Sequence, residues 1–498
     1  MSNDPGCHRL PLDRYPGMNP FVLDWLAGDE RFLPRKPAGK RTRTIPAALA
    51  EALIESNRRW GLNVERQVRQ FAAGETFTII AGQQTGFAGG PLYTLVKLAT
   101  LLKMKREHEP ATVLFWLATE DHDFGEAAAL AIPRRDSAGQ TDLQWLRASR
   151  PPDSREVVGR SVIPETLIEQ LTAALKIDRP AWLRRGITFG DSFAELMTST
   201  AGDGVILVDS LLPELRLAGA PLFASIATKW NEMQSALAAR STELERAGYT
   251  PQIVPREGEG YTLLYQIDQQ GHRDLLHRPP SLDSPWSIST SAITRPLLQD
   301  SVLRPDVFVG GPSEIAYYAQ VAPLHALLDV PMPRIALRGH VLVAPRKCVR
   351  YFSRFDIQPP EVFTTPERIV AVHAAEGVIE VRSIAAKAER DLQAQIEKIR
   401  ALALPADHAV ARAINRSIGH IEYHFRKLTE RAIRGLVRKD KERFHAAREL
   451  VATFFPDRHV QDRVVGWFPL WCEYGKLLLD RIVDEVEPDS SSFKIVSL

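Results

Sequence analysis

The stretch Thr76–Asp123, TFTIIAGQQTGFAGGPLYTLVKLATLLKMKREHEPATVLFWLATEDHD, leaves the chain few ways to fold. Thr76–Ile80 is a short β-branched and aromatic run, the composition of a buried strand. Gly82, Gly86, Gly89 and Gly90 then interrupt any regular pattern, and Pro91 suits a first helical position, where its missing N–H costs nothing. Leu92, Leu95, Val96, Ala99, Leu102 and Met104 recur at helical spacing until Pro110 stops the helix. Thr112–Ala118 is apolar throughout, as a parallel strand covered on both faces should be. Strand, glycine turn, helix, strand is a βαβ unit, with a right-handed crossover expected.

Open α/β sheets bind ligands beyond the carboxyl ends of their strands. Here the first strand runs into Gln83, Gln84, Thr85 and Gly86, with Gly90, Tyr93, Thr94 and Lys97 following at the helix start. The second runs into Glu120, Asp121, His122 and Asp123. If the strands are neighbours, a glycine-rich amide cradle faces three carboxylates and an imidazole. Glycine turns also serve structure alone, so the turn reads either way. The acidic cluster gathers titratable groups where pockets form, which makes Asp121, His122 and Asp123 the candidate catalytic residues.

Composition removes several classes of function. A formal charge of +2 offers no electrostatic case for nucleic acid or a membrane surface. No run approaches the ~18–20 apolar residues of a membrane helix, and the first twenty residues lack the apolar core of a secretion signal. The cysteines, Cys7, Cys348 and Cys472, are odd in number and scattered, without metal or disulfide spacing, which suits a reducing cytoplasm. At 498 residues, with 44% hydrophobic and 25% charged, two or three ordered domains are expected.

Along the chain, residues 1–45 read as an arm, and Ile45 to about Phe71 as a helix leading into the first strand. Residues 132–200 read as a connective insertion on the sheet, a small subdomain or lid, or as a long α/β connection, with helices near 165–177 and 192–200. Val205–Val208 is a third buried strand, followed by a long helix over 221–247. Tyr261–Ile267 reads as a hairpin strand turning at Gln269-Gln270-Gly271, an antiparallel excursion. Arg295 lies in the proline- and serine-rich segment that follows. Asp306–Val309 is another strand, and it runs into Gly310-Gly311-Pro312-Ser313-Glu314, with Tyr317 beyond. This repeats the Gly89-Gly90-Pro91 pattern. A helix start with free N–H groups can hold a phosphate or carboxylate, so two such junctions could hold two anionic groups, or both could be simple helix starts. Pro333–Leu337 is one more strand. From about 365 the chain turns to long helices. Ile384, Ala388, Leu392, Ile396 and Ile399 form one stripe, and after a turn at 404–407 Val410, Ile414, Ile418, Ile421, Phe425 and Leu428 form a second. The steps fit an antiparallel hairpin of coiled-coil character, with apolar stripes long enough to serve a homodimer. The aromatic-rich segment 456–475 reads as a return to the core. The expected partition is 1–131, arm and first half of the core; 132–200, insertion; 201–364, second half; 365–450, helical hairpin; 451–498, return.

Taken together and in order, GQQTGFAGGPLYTLVK, FWLATEDHDFGE, VGGPSEIAYYAQ and VQDRVVGWFPLWCEYG resemble the cysteine-adding enzymes of bacillithiol biosynthesis, the BshC family. The resemblance spans most of the chain. It implies an α/β fold: a Rossmann-like parallel-sheet core with connective insertions and a C-terminal α-helical coiled coil that mediates dimerisation. It also implies a cytoplasmic ligase joining the carboxyl of L-cysteine to the amine of glucosaminyl-malate. Amide formation in water needs an activated carboxylate, so a nucleotide (ATP or ADP) over the Gly82–Thr94 turn and a divalent metal at Glu120–Asp123 are both open. His122 or Asp123 would be the base for the amine. Two features depart from class I synthetases: Gln83 and Gln84 stand where paired histidines are usual, and Lys103-Met104-Lys105 falls inside a helix. A nucleotidyltransferase, a metal-assisted hydrolase, and a non-catalytic coiled-coil dimer binding a sugar or nucleotide are the rival readings.

Overall fold

The computed structural model describes residues 7–35, 44–135, 141–151, 154–253, 263–373, 376–403, 408–437 and 441–498. The chain divides into two compact units, the first made of 1–134, 143–343 and 461–498, the second of 135–142 and 344–460.

In the first unit, β1 (Cys7–Pro11) precedes two helices, Ala47–Arg59 and Glu65–Ala72. The sequence suggested one continuous helix; Gly61, at φ +90°, breaks it. Then come β2 (Phe77–Gln84), the helix Leu92–Glu107 and β3 (Ala111–Ala118). β2 runs four residues further than its apolar run suggested, so Gly82, Gln83 and Gln84 are strand and not turn. Gly82 sits opposite Trp116, where a Cβ would lie 3.0 Å from the Trp116 Cβ, so glycine lets the strand continue past the indole. Strands β4 (Ala129–Arg135) and β5 (Thr141–Arg147) pair as a ribbon, and helices at Glu165–Leu175 and Phe189–Ala201 follow. β6 (Ile206–Asp209) leads to the long helix Ala220–Arg246.

The antiparallel excursion is a three-stranded sheet of β7 (Leu264–Ile267), β8 (Arg273–Leu275) and β9 (Ile288–Thr290), in the order β8-β7-β9. Tyr261 and Thr262, part of the expected strand, lie outside the described residues. Next are β10 (Val307–Gly310), the helix Pro312–Leu327, β11 (Arg334–Leu337) and β12 (Val341–Ala344); β13 (Ser492–Ser497) closes the chain and pairs with both β1 and β12.

The core sheet is five parallel strands in the order β11-β10-β2-β3-β6. Its central strands are buried on both faces, which accounts for their unbroken apolar runs. Because β2 and β10 are parallel neighbours, both Gly-Gly-Pro junctions follow carboxyl ends on one edge of the sheet.

The second unit is helical. Helices Glu376–Ala403 and His408–Val437 pair along their length, while Arg346–Phe355, Pro366–His373 and Lys441–Phe454 pack together beside Phe352–Phe454 stacking. The turn expected at 404–407 lies outside the described residues, as does the side chain of Val410. The expected stripes are only partly covered: Ile396 is buried, whereas Ile384, Ile399, Ile421 and Leu428 are exposed.

Candidate active site

At the carboxyl edge of the sheet lies a cavity of about 710 Å³. Gln83 and Gln84 reach it from β2, Glu120, Asp121 and His122 from the end of β3, and Gly311, Ser313, Glu314 and Tyr317 from the junction after β10. The excursion sheet supplies Tyr265, Arg273 and Thr290, with Ser291 just after its last strand, so the small antiparallel sheet forms a wall of the cavity.

One side is cationic. Lys97 is buried on the helix after β2, and its Nζ donates to Gly82 O at 2.8 Å and Gln83 Oε1 at 3.1 Å. It also pairs with Glu314 Oε2 at 2.5 Å. Burial lowers the Lys97 pKa against the opposing pull of Glu314. Gln83 Nε2 donates to the Tyr93 hydroxyl at 3.1 Å; burial, with the Glu126 and Glu314 charges, pushes that hydroxyl up to about 12. Arg295 donates to Gln299 Oε1 at 3.1 Å and to the Tyr317 hydroxyl. Arg338 is held by Asp462 at 2.9 Å, and Asp462 also accepts from the buried Tyr15 hydroxyl. Arg463, in the short helix Gln461–Val464, completes this side. Among the described residues, Arg273, Arg295 and Arg463 have no carboxylate partner.

The acidic run after β3 divides into separate tasks. Glu120 turns inward, where its carboxylate accepts from Arg216 Nη2 at 3.2 Å, Ser289 Oγ at 2.6 Å, Thr290 N at 3.2 Å and Thr290 Oγ1 at 2.6 Å. Asp121 faces the cavity and accepts from Gln84 Nε2 at 2.8 Å and from the His122 amide at 2.7 Å. Asp123 caps the short helix Phe124–Ala127 by accepting from Glu126 N at 3.0 Å, and it does not line the cavity. His122 does line it; burial and then the Arg273 charge lower its pKa.

Residues 29–281 and 280–339 match the family model "Bacillithiol biosynthesis BshC, N-terminal Rossmann-like domain", and residues 341–498 match "Bacillithiol biosynthesis BshC, C-terminal coiled-coil domain". The chain belongs to the BshC family. Among its relatives, a Solibacter usitatus protein is 28% identical over 84% of each chain. One from Koribacter versatilis is 26% identical over 96% of this chain and 97% of its own. One from Geobacillus kaustophilus is 24% identical over 99% and 98%. All three carry the name "Putative cysteine ligase BshC".

The glycine turn of this chain is not an open amide cradle. Gly86 N donates to Gln84 O, Gly89 N to Gly86 O, Gly90 N to Phe87 O and Thr94 N to Pro91 O. Leu92 N, at the helix start, donates to Val465 O, and Trp467 closes over the turn through Trp467 N→Gly90 O at 3.2 Å and Trp467 Nε1→Gly89 O at 2.9 Å. Thr85, Gly86, Gly90 and Thr94 therefore lie outside the cavity lining, with Thr85 and Thr94 fully buried. Gly310 also stays out; a Cβ there would meet Phe308 at 2.9 Å. Only the second Gly-Gly-Pro junction reaches the cavity, and there Gly311 N is taken by Glu314 Oε2 at 2.7 Å. The expected phosphate cradle over Gly82–Thr94 thus does not fit a nucleotide. The donor set does not fit a divalent metal either. Glu120 is occupied by four donors and Asp123 by its cap, and the described residues contain no group of three His, Cys, Asp or Glu able to hold one.

Sequence reasoning missed Arg273, Arg338 and Arg463 as lining residues, together with Tyr265 and Trp116. Arg463 lies inside the VQDRVVGW segment, where an Asp-Arg pair within an apolar run was the available signal. Arg273, on a three-residue strand, carried none.

Proposed function

We propose that this protein is a cysteine ligase that joins the carboxyl of L-cysteine to the amine of glucosaminyl-malate, the closing step of bacillithiol synthesis. Family membership over nearly the whole chain and the names of its relatives support the ligase class. The observation that carries the substrate reading is the charge pattern of the cavity. Arg273, Arg295 and Arg463 face it without carboxylate partners, while Glu120 and Glu314 are already paired with cations. A malate-bearing acceptor brings two carboxylates, and guanidinium groups bind carboxylates bidentately. Asp121 is the lining carboxylate without a cationic side chain at hydrogen-bond distance, and it holds the acceptor's amine. Gln83, Gln84, Tyr93, Lys97, Ser313 and Tyr317 shape the remaining wall.

The test is direct. Purified protein is incubated with cysteine and glucosaminyl-malate, with and without ATP, and the amide is sought by mass spectrometry. In parallel, the thiol profile is compared in cells with and without the gene. An unchanged profile together with no amide product under any condition sinks the proposal.

The working form is a homodimer through the helical hairpin, in the cytoplasm. Supporting the dimer, Ile379, Ile384, Leu402 and Leu428 are each more than 60% exposed on the hairpin, apolar surface that a second copy would cover. Ile384→Lys with Leu428→Lys should halve the mass seen by light scattering; an unchanged mass refutes the interface. Three free cysteines suit a reducing compartment, and no helix among the described residues is long and apolar enough to cross a membrane.

A further inference from the structure

We infer that His122 serves as a neutral hydrogen-bond donor to a substrate oxygen, through Nε2–H, and not as a general base. The geometry around one ring nitrogen decides this. Arg273 Nη1 lies 2.8 Å from His122 Nδ1. A guanidinium has donors only and keeps its charge in proteins, so at that distance Nδ1 must be the acceptor. The proton of the neutral ring is then on Nε2.

The competing arrangement puts the proton on Nδ1, aimed at Asp121 Oδ1. That oxygen is 3.8 Å away, beyond hydrogen-bond distance, and is already shared by the His122 and Asp123 amides. It would also set an imidazole N–H against an arginine N–H at 2.8 Å. Arg273 cannot easily turn aside. Its Nε donates to Ser289 Oγ at 3.0 Å, its Nη2 donates to Thr290 O, and its guanidinium lies over the Tyr265 ring at 3.9 Å. Arg150, which donates to His122 O at 2.7 Å, adds a second cation beside the ring, against the carboxylates of Asp121 and Asp123.

A ring fixed in this way cannot take a proton at Nε2. Its Nε2–H has no partner among the described residues, and the His122 side chain lines the cavity. It suits a carbonyl or carboxylate oxygen. Arg273 is its positioning residue, and its role links β8 to the end of β3. The tautomer stands independently of the ligase reading; only the identity of the bound oxygen rests on it.

The experiment has two arms. The full-length protein is labelled with ¹⁵N-histidine, and two-bond ¹⁵N–¹H correlation is recorded near neutral pH, with His122 assigned by its loss in His122→Gln. The expected pattern is a neutral ring protonated on Nε2, without the averaging of exposed histidines, and Arg273→Met should restore that averaging. A proton on Nδ1, a charged ring, or no response to Arg273→Met overturns the inference. In the second arm, amide formation is measured for His122→Gln, His122→Asn and His122→Ala. Gln places an amide donor near the position of Nε2, and Asn nearer Nδ1. His122→Gln should stay within about tenfold of the native rate while Asn and Ala lose roughly 10²–10³, the scale of one preorganised donor. Equal loss in all three means that His122 transfers a proton, which also overturns it. If the native protein makes no amide, the ligase reading fails and the tautomer arm still decides.

Discussion

Replacing Glu120 with alanine should cost stability before it costs chemistry. The carboxylate is buried against an almost fully buried Arg216, at 3.2 Å, and accepts three further hydrogen bonds from Ser289 and Thr290. Truncation leaves Arg216 with two carbonyl acceptors, Ser210 O and Trp286 O, and no carboxylate at hydrogen-bond distance, with the charge of Asp209 further off. Removing one partner of a buried pair costs about 3–5 kcal/mol. At about 1.4 kcal/mol per factor of ten, the unfolded fraction rises roughly a hundred- to several-thousand-fold. For an m value of about 3 kcal/mol per molar, the urea midpoint falls by about 1–1.7 M. Glu120→Gln keeps the volume and one acceptor, so it should lose less, about 1.5–3 kcal/mol, as expected for charge-assisted bonds. The assay is favourable because all nine tryptophans lie in the first unit, so intrinsic fluorescence follows the unit that contains the cavity. A Glu120→Ala midpoint within about 0.2 M of native, with activity abolished, would show that Glu120 binds substrate and is not a structural anchor.

Acidification should destabilise the same unit. Burial and the Arg338 and Arg463 charges hold the pKa of His340 well below 6.5, so the unfolded chain binds the extra proton and stability is lost as pH falls below about 6.5, by up to about 1.4 kcal/mol per pH unit. Urea midpoints by tryptophan fluorescence should show this slope, and His340→Phe should flatten it; equal slopes refute the assignment. Gly89→Ala should unlatch the C-terminal segment, because Gly89 has φ +84° and a Cβ would sit 2.2 Å from Trp467 Nε1. Left-handed backbone alone costs about 1–2 kcal/mol, so a midpoint unchanged by this substitution would mean that the latch does not form. Arg463→Met should raise the KM for the acceptor about ten- to a hundredfold with little change in urea midpoint, the worth of a charged hydrogen bond. Arg338→Met should instead lower the midpoint, since it strands the buried Asp462.

The sheet was legible because each strand is a short apolar run between punctuating residues, and parallel strands leave that trace. The helix break at Gly61 was not, because one glycine in a periodic run is ambiguous until its φ is known. The candidate site was half legible. Asp121 and His122 stand at the end of an unmistakable strand, and Gly311, Ser313, Glu314 and Tyr317 follow the same logic. Yet local sequence could not separate two Gly-Gly-Pro junctions of equal appearance. The first is sealed by Val465–Trp467, more than 370 residues away, and nothing near Gly90 announces that contact. The same distance hid Arg463. Nor does residue type reveal that Glu120 points inward and Asp123 caps a helix while Asp121, between them, faces the cavity; the backbone turn after β3 decides that.

The seal over the glycine turn also sets a clock on synthesis. Trp467, Arg463 and β13 all belong to the first unit, but the ribosome reaches them only after making the whole of 344–460. The last 155 residues take on the order of 10–30 s at about 5–20 residues per second. Throughout that interval the parallel sheet has emerged, but β1 and β12 lack the strand that pairs with both, and the cavity lacks Arg463 and the partner of Arg338. A nascent chain therefore has no working pocket, and premature termination anywhere in the helical hairpin yields a core that is missing part of itself.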